Sequence, residues 1–329
     1  MTAGLLIGIA TGLVSALLFA QASTGTVLGL FVLFFLSPLP VAIAGLGWGW
    51  TSAAVAAAVG SLAVAFVGTG RAGFVHLLTL GAPTAIFSYL LLLSRPIEPL
   101  ATPGAATRIE WYPVGRVVMW ISLWAAGLSA IAVLTTATDV PALKSEVRQT
   151  IARMVDVGIA LPGKPGPGKL GDAEIAALTE FMTATLPGVI ASVWMTIATL
   201  NLWLAGFAVR ASGRLMRPWP ELATLAVPSG FPLLFGGAIA ATFLPGMAGL
   251  LASGAASAFL FAYLLVGLAI LHFVTRGKSF RVPLLGGIYL SLILFNPLSG
   301  LIVALIGVAE PVSPLRRRQP PGPMPPPTT

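Results

Sequence analysis

Charge is scarce in this sequence. It has 18 basic and 10 acidic residues in 329, and they gather in a few connectors. The apolar blocks between them hold no carboxylate or Lys at mid-block, so no proton relay or ion-coupling site is expected there. Cysteine is absent. That excludes disulfides, thiolate catalysis and Cys-based metal sites. Histidine occurs only at His76 and His272, too far apart in sequence to suggest a His-rich metal site. The phosphate-cradling pattern GxxxxGK[ST] and the zinc pattern HExxH do not occur. The nearest approach to a nucleophile elbow, Gly127-Leu-Ser129-Ala130, lacks its second glycine and lies inside an apolar block. No catalytic residue, cofactor or metal is expected, and the chain does not read as an enzyme.

What is there is apolar length. Blocks at 4–20, 27–46, 53–67, 73–93, 117–136, 186–209, 231–250, 252–274 and 282–308 are each near the ~20 residues that cross a bilayer as a helix. The mean hydropathy is +0.96 and 57% of residues are hydrophobic. Backbone groups left unpaired in lipid are costly, so the expected fold is all-α, a polytopic transmembrane helical bundle of about eight or nine spans. The net charge of +8 does not point to nucleic acid, because the basic residues sit at span ends, where membrane topology wants them. Ala20-Gln21-Ala22 imitates a signal-peptidase site, but Met1-Thr2-Ala3 carries no positive charge, so the first block is expected to stay as a helix.

Charge sorts the connectors. The stretch 94–116 holds Arg95, Arg108 and Arg116 against Glu98 and Glu110. The stretch 210–221 holds Arg210, Arg214 and Arg217 against Glu221, and 276–281 reads Arg-Gly-Lys-Ser-Phe-Arg. All three are expected in the cytoplasm. The connector 137–183 balances five basic residues with six acidic ones and is expected outside, which puts the N-terminus inside. The division is then an N-terminal membrane region of four helices (1–93), a cytoplasmic connector (94–116), a C-terminal membrane region (117–309) and a basic, Pro-rich, disordered tail (310–329). Two segments stay open. Block 282–308 is either one tilted span or two half-helices broken at Asn296-Pro297. Block 27–46, with Pro38 and Pro40, either crosses or falls short. Within the outer connector, Leu143, Val147, Ile151 and Val155 recur every four residues, an amphipathic helix that serves as an interfacial anchor or as a lid.

Three patterns are candidates for function. Gly4, Gly8, Gly12, Ala16 and Ala20 make a small-residue ridge on the first helix, suited to close helix packing inside the chain, against the Ala/Gly-rich block at 53–67, or to docking on another membrane protein. Asn201, with Thr199 and Thr196 nearby, and Asn296 place polar groups in or beside apolar blocks, as interhelical contacts or ligand contacts. His76 and His272 read as interfacial, and His76 joins Asn201, Thr199 and Asn296 as a candidate interhelical or ligand contact. Arg210, Arg214 and Arg217 form a basic loop suited to anionic lipid or a soluble partner. Trp48, Trp50, Trp111, Tyr112, Trp120 and Trp219 lie near block ends, as in an aromatic belt.

Several stretches look familiar. Asn201-Leu-Trp-Leu-Ala-Gly206, Ser212-Gly-Arg-Leu-Met-Arg-Pro-Trp-Pro220, Gly267-Leu-Ala-Ile-Leu-His272-Phe-Val-Thr-Arg-Gly277 and Glu110-Trp-Tyr-Pro-Val-Gly-Arg116 resemble the YybS-like family of predicted multi-pass bacterial membrane proteins of unknown function, as does the terminal Arg316-Arg317-Arg318. The N-terminal hundred residues, with Ser37-Pro-Leu-Pro-Val-Ala-Ile-Ala-Gly-Leu-Gly-Trp-Gly49 and the ridge, are similar to substrate-binding S components of energy-coupling factor transporters. That resemblance implies docking through the ridge on a membrane coupling subunit that joins the S component to ATPases. The span count and the charged outer connector depart from that pattern. The expected function is a non-enzymatic, solute-binding or transporter-like subunit of the bacterial inner membrane. It takes a small apolar or amphiphilic solute and relies on a partner for energy. The alternative is a structural or assembly scaffold of the cell envelope.

Overall fold

The computed structural model describes residues 2–21, 27–97, 108–156, 171–295 and 297–310. Asn296, part of the 137–183 connector and nearly all of the C-terminal tail lie outside the described residues. Among the described residues, six helices are long and apolar enough to cross a membrane: Thr2–Gln21, Trp50–Val67, Gly70–Leu92, Val114–Thr136, Asp172–Ala211 and Gly246–Val274. The remaining apolar blocks form shorter helices, because prolines and turns cut them.

The N-terminal region begins with α1 (Thr2–Gln21). Next come α2 (Val27–Leu36) and α3 (Leu39–Trp48), which divide the expected span at 27–46 in two. Pro38 and Pro40 explain the division: neither has an N–H to donate to the previous turn. The Ser37 N–H caps Phe34 O instead, at 3.2 Å. A tight turn at Gly49, with φ of 97°, leads into α4 (Trp50–Val67). A Cβ added to Gly4, Gly8 or Gly12 would meet Ser52 Oγ, Ser52 O or Ala56 O at 2.9, 2.7 and 2.5 Å. Rising numbers on α1 thus meet rising numbers on α4, so these two helices run parallel, and α2 and α3 together carry the chain back between them. The span Gly70–Leu92 comprises α5 (Gly70–His76), a π-helical turn (Leu77–Gly81) and α6 (Ala82–Leu92).

The connector after α6 contains an element the all-α expectation lacks. Strands β1 (Ser94–Ile97) and β2 (Arg108–Trp111) pair antiparallel, with Ser94 opposite Trp111. The C-terminal region is built on α7 (Val114–Thr136), α9 (Asp172–Ala211) and α11 (Gly246–Val274), whose buried faces share one core with α3 and α6. Between α7 and α9, α8 (Val140–Asp156) buries Leu143, Val147 and Ile151 against Val133, Leu178, Leu186 and Leu250. It seats on the bundle mouth.

The expected span at 231–250 is also divided. The chain passes from Glu221, ion-paired with Arg276 at the end of α11, to Phe231, whose ring meets Phe259 and Tyr263 at 5.4 Å each in the middle of α11. Only then does α10 (Phe231–Ala241) begin. Pro228, Pro232 and Pro245 bracket this short helix. Block 282–308 yields α12 (Arg281–Leu294) and α13 (Leu298–Ala309) on either side of Asn296-Pro297. α13 runs antiparallel to α11, with Gly267 against Val303 and Gly307 against Tyr263.

Candidate functional site

Proline starts the site. Pro83 has no N–H, so Thr79 O loses its normal helical donor. The π-helical turn widens the ring just before it, with Ala82 N–H donating to Leu77 O. Such turns are rare and frequent at functional sites. Two indoles from other helices take up the freed carbonyls. Trp194 Nε1 on α9 donates to Thr79 O at 2.7 Å, and Trp124 Nε1 on α7 donates to Leu78 O at 3.3 Å. Phe87 lies edge-on to both rings, with centroids 6.3 Å from each.

The break between α2 and α3 makes a third exposed carbonyl. Asn201 on α9 donates Nδ2–H to Phe35 O at 2.6 Å and to Ile197 O of its own helix at 2.7 Å. Asn201 is 1% exposed, and its Oδ1 is buried with no hydrogen-bond partner. An unpaired buried carbonyl costs about 1–3 kcal/mol, so this oxygen is an open acceptor inside the bundle. The cleft it shares with Pro38, Thr79, Pro83, Thr84 and Trp194 is nearly filled, with about 10 Å³ of space, room for at most one water molecule. Ligand pockets for drug-sized molecules begin at roughly 300 Å³. As it stands, the cleft is closed to any solute larger than water.

The other sequence candidates fall elsewhere. Gly4, Gly8 and Gly12 face α4, and Gly60 returns the contact, its Cβ direction meeting Gly12 O at 2.9 Å. Ala16 is buried and Ala20 half-buried. The ridge from Gly4 to Gly12 is therefore occupied by this chain itself. Thr199 spends its hydroxyl on Met195 O at 2.6 Å and Thr196 on Ser192 O at 2.9 Å, so neither joins Asn201. Asn296 lies outside the described residues. His76, which the sequence placed near the start of a span, is fully buried in the bundle. Ser15 Oγ lies 3.1 Å from its Nε2 and Ser61 Oγ 3.0 Å from its Nδ1. Ser37 Oγ donates to Ser15 O at 3.0 Å. Gly60 makes the room, with its Cβ direction 3.1 Å from His76 Cε1. His272 at the end of α11 pairs with Tyr289 Oη at 2.9 Å and with Arg281.

The three arginines of the basic loop each meet a tryptophan. Arg210 Cζ lies 5.2 Å from the Trp219 ring centre, Arg214 Cζ 5.1 Å from Trp48 and Arg217 Cζ 5.5 Å from Trp111. Arg217 also donates to Leu91 O at 2.8 Å, and its Nε is buried without a partner. Desolvation lowers the Arg217 pKa from its ordinary value. These contacts gather the ends of α3, α6 and α9, the start of α7 and the β-hairpin at one basic end of the bundle. α8 and the start of α9 occupy the opposite end.

Sequence reasoning found Asn201 but missed Trp194, Trp124 and Pro83. The signals were present: a proline inside an apolar block, and tryptophans far from any block end.

No curated protein and no solved structure matches the chain. A family model described as predicted membrane protein (DUF2232) matches residues 13–310. That range contains every residue of the site, from Phe35 to Asn201, and the chain belongs to this family of membrane proteins.

Proposed function

We propose that this protein is a non-enzymatic, transporter-like subunit of the bacterial inner membrane, with its solute site at the broken helices around Asn201. One observation carries the reading: two interrupted helices expose backbone carbonyls beside a buried amide whose Oδ1 has no partner. Broken helices at membrane depth are tolerated where they are buried in protein or line a cavity, and several transporter families build their sites from them. The small cleft means that α3 or the π-helical turn must shift to admit a solute. The sequence has no nucleotide-binding motif to drive such a shift, so a partner chain supplies the energy. Docking of that partner in the manner of an S component is not part of this proposal, because α4 covers the ridge. The solute is small and amphiphilic, matching one open acceptor among apolar walls. The positive-inside rule places the basic end, and with it the start of α1, in the cytoplasm. The landmarks shared with the YybS-like family fit this role as a multi-pass protein.

The test is purification in gentle detergent from the native membrane, for the wild type and for Asn201→Leu, with mass spectrometry of co-purifying proteins and metabolites. The reading expects an energy-coupling partner or one bound metabolite with the wild type, and loss of the metabolite in the variant. Wild-type protein recovered with lipid alone would overturn it. A scaffold of the cell envelope is the second reading, and the basic end favours it. Neutralising Arg210, Arg214 and Arg217 together removes partners or localisation if the chain is a scaffold, and leaves solute binding intact if it is not.

A further inference from the structure

The inner end of α9 carries a second feature, independent of the Asn201 cleft. Leu200, Trp203, Phe207 and Arg210 follow one another at steps of three and four residues, which keeps them on one helix face, and Arg214 follows in the turn just past the helix end, where Gly213 has a φ of 68°. The three apolar members are 40%, 46% and 57% exposed, and both arginines are exposed. Trp203 and Phe207 stack with ring centres 6.0 Å apart and planes 18° from parallel. From Leu200 to Arg210 the helix rises ~15 Å, half of the ~30 Å hydrocarbon thickness. The stripe is thus one leaflet deep, apolar below and cationic at its rim.

The arginines are held ready. Arg95 and Arg276 at the same end are ion-paired with Glu110 and Glu221. Arg210 and Arg214 have no carboxylate and no backbone acceptor for their guanidinium groups among the described residues. Each lies instead over a tryptophan, Trp219 and Trp48. A guanidinium held over an aromatic ring with no hydrogen-bond acceptor keeps N–H groups free, and its planar fork matches phosphate oxygens. We propose that this end of α9 binds one anionic phospholipid, with its phosphate held by Arg210 and by Arg214 in the turn that follows, and an acyl chain along Leu200, Trp203 and Phe207. The apolar stripe beneath the charges selects a lipid rather than a soluble phosphate.

The experiment compares full-length protein in nanodiscs of phosphatidylcholine with or without phosphatidylglycerol, followed by native mass spectrometry of retained lipid. The wild type retains phosphatidylglycerol selectively. Arg210→Gln/Arg214→Gln loses that retention roughly tenfold or more, at about tenfold per 1.4 kcal/mol and ~1 kcal/mol per arginine. Arg95→Gln, at the same end but outside the stripe, retains it. Equal loss in Arg95→Gln, or none in the double variant, overturns the site. Displacement of the lipid by inorganic phosphate also overturns it, since that would show a soluble-anion site. If the double Gln variant does not fold, Arg210→Lys/Arg214→Lys decides: it keeps the charge but not the planar fork, and retention falls several-fold. Full retention with Lys would overturn the proposal.

Discussion

Asn201 shows how much one side chain does where water is absent. Its amide donates to a carbonyl of α2 and to one of its own helix, tying a broken segment to the longest helix. Asn201→Leu removes both donors and leaves Phe35 O without its side-chain partner, at about 1–3 kcal/mol per buried unpaired group. A melting temperature in detergent several degrees below the wild type checks this, and an unchanged value would show that α2 is held by packing alone. His76 belongs to the same scale. His76→Leu takes the ring partner from the Ser15 and Ser61 hydroxyls between α1, α4 and α5, leaving Ser15 Oγ only its 3.4 Å contact with Ser37 Oγ, and the expected loss of thermal stability is similar. His76→Gln, which restores one donor and one acceptor, should recover part of it. Asn201 was legible in the sequence because an amide in an apolar block has few reasons to exist. The burial of His76 was not, because it depends on Gly60, sixteen residues away and on another helix, leaving a gap the size of the ring.

Among the elements, the broken helices carry the most information. Pro83 frees Thr79 O, and the π-helical turn absorbs the change. Pro83→Ala returns an N–H to that turn, so hydrogen exchange across 77–83 should slow, whereas unchanged exchange would assign the turn to packing around Phe87 and Trp194. The α1–α4 pair tests the opposite property, close regular contact. Gly12→Leu places a side chain where Ala56 O already stands 2.5 Å from the Cβ position. The two backbones must part, and the variant should lose stability by several kcal/mol, the scale of severe overpacking, read as protease sensitivity or early melting. The small-residue ridge and the Ala/Gly-rich block at 53–67 could both be read in the sequence, but the parallel sense of their pairing could not. It depends on whether 27–48 returns across the bundle, and two prolines leave that open to composition alone. The β-hairpin escaped notice for a plainer reason: four-residue strands in a charged connector leave no periodic signal.

At the scale of the whole molecule, charge asymmetry organises the ends. Arg210, Arg214 and Arg217 meet Trp219, Trp48 and Trp111 at one end, while the Lys144–Glu180 pair, at 2.6 Å, links α8 to α9 at the other. That exposed pair contributes little to stability. The absence of cysteine gives a clean test of sidedness. In intact cells an impermeant maleimide should label Ser145→Cys, and should label Ser212→Cys only after permeabilisation; the reverse pattern would invert the orientation. The helix that joins the two ends has 40 residues, a length of ~60 Å, twice the hydrocarbon thickness. One proline, Pro187, lies inside it, and its carbonyl is braced by Ser129 Oγ at 2.7 Å. α9 is therefore one unbroken shaft. A torque applied to α8 on one side would reach Asn201 and then Arg210 on the other without passing through any loop.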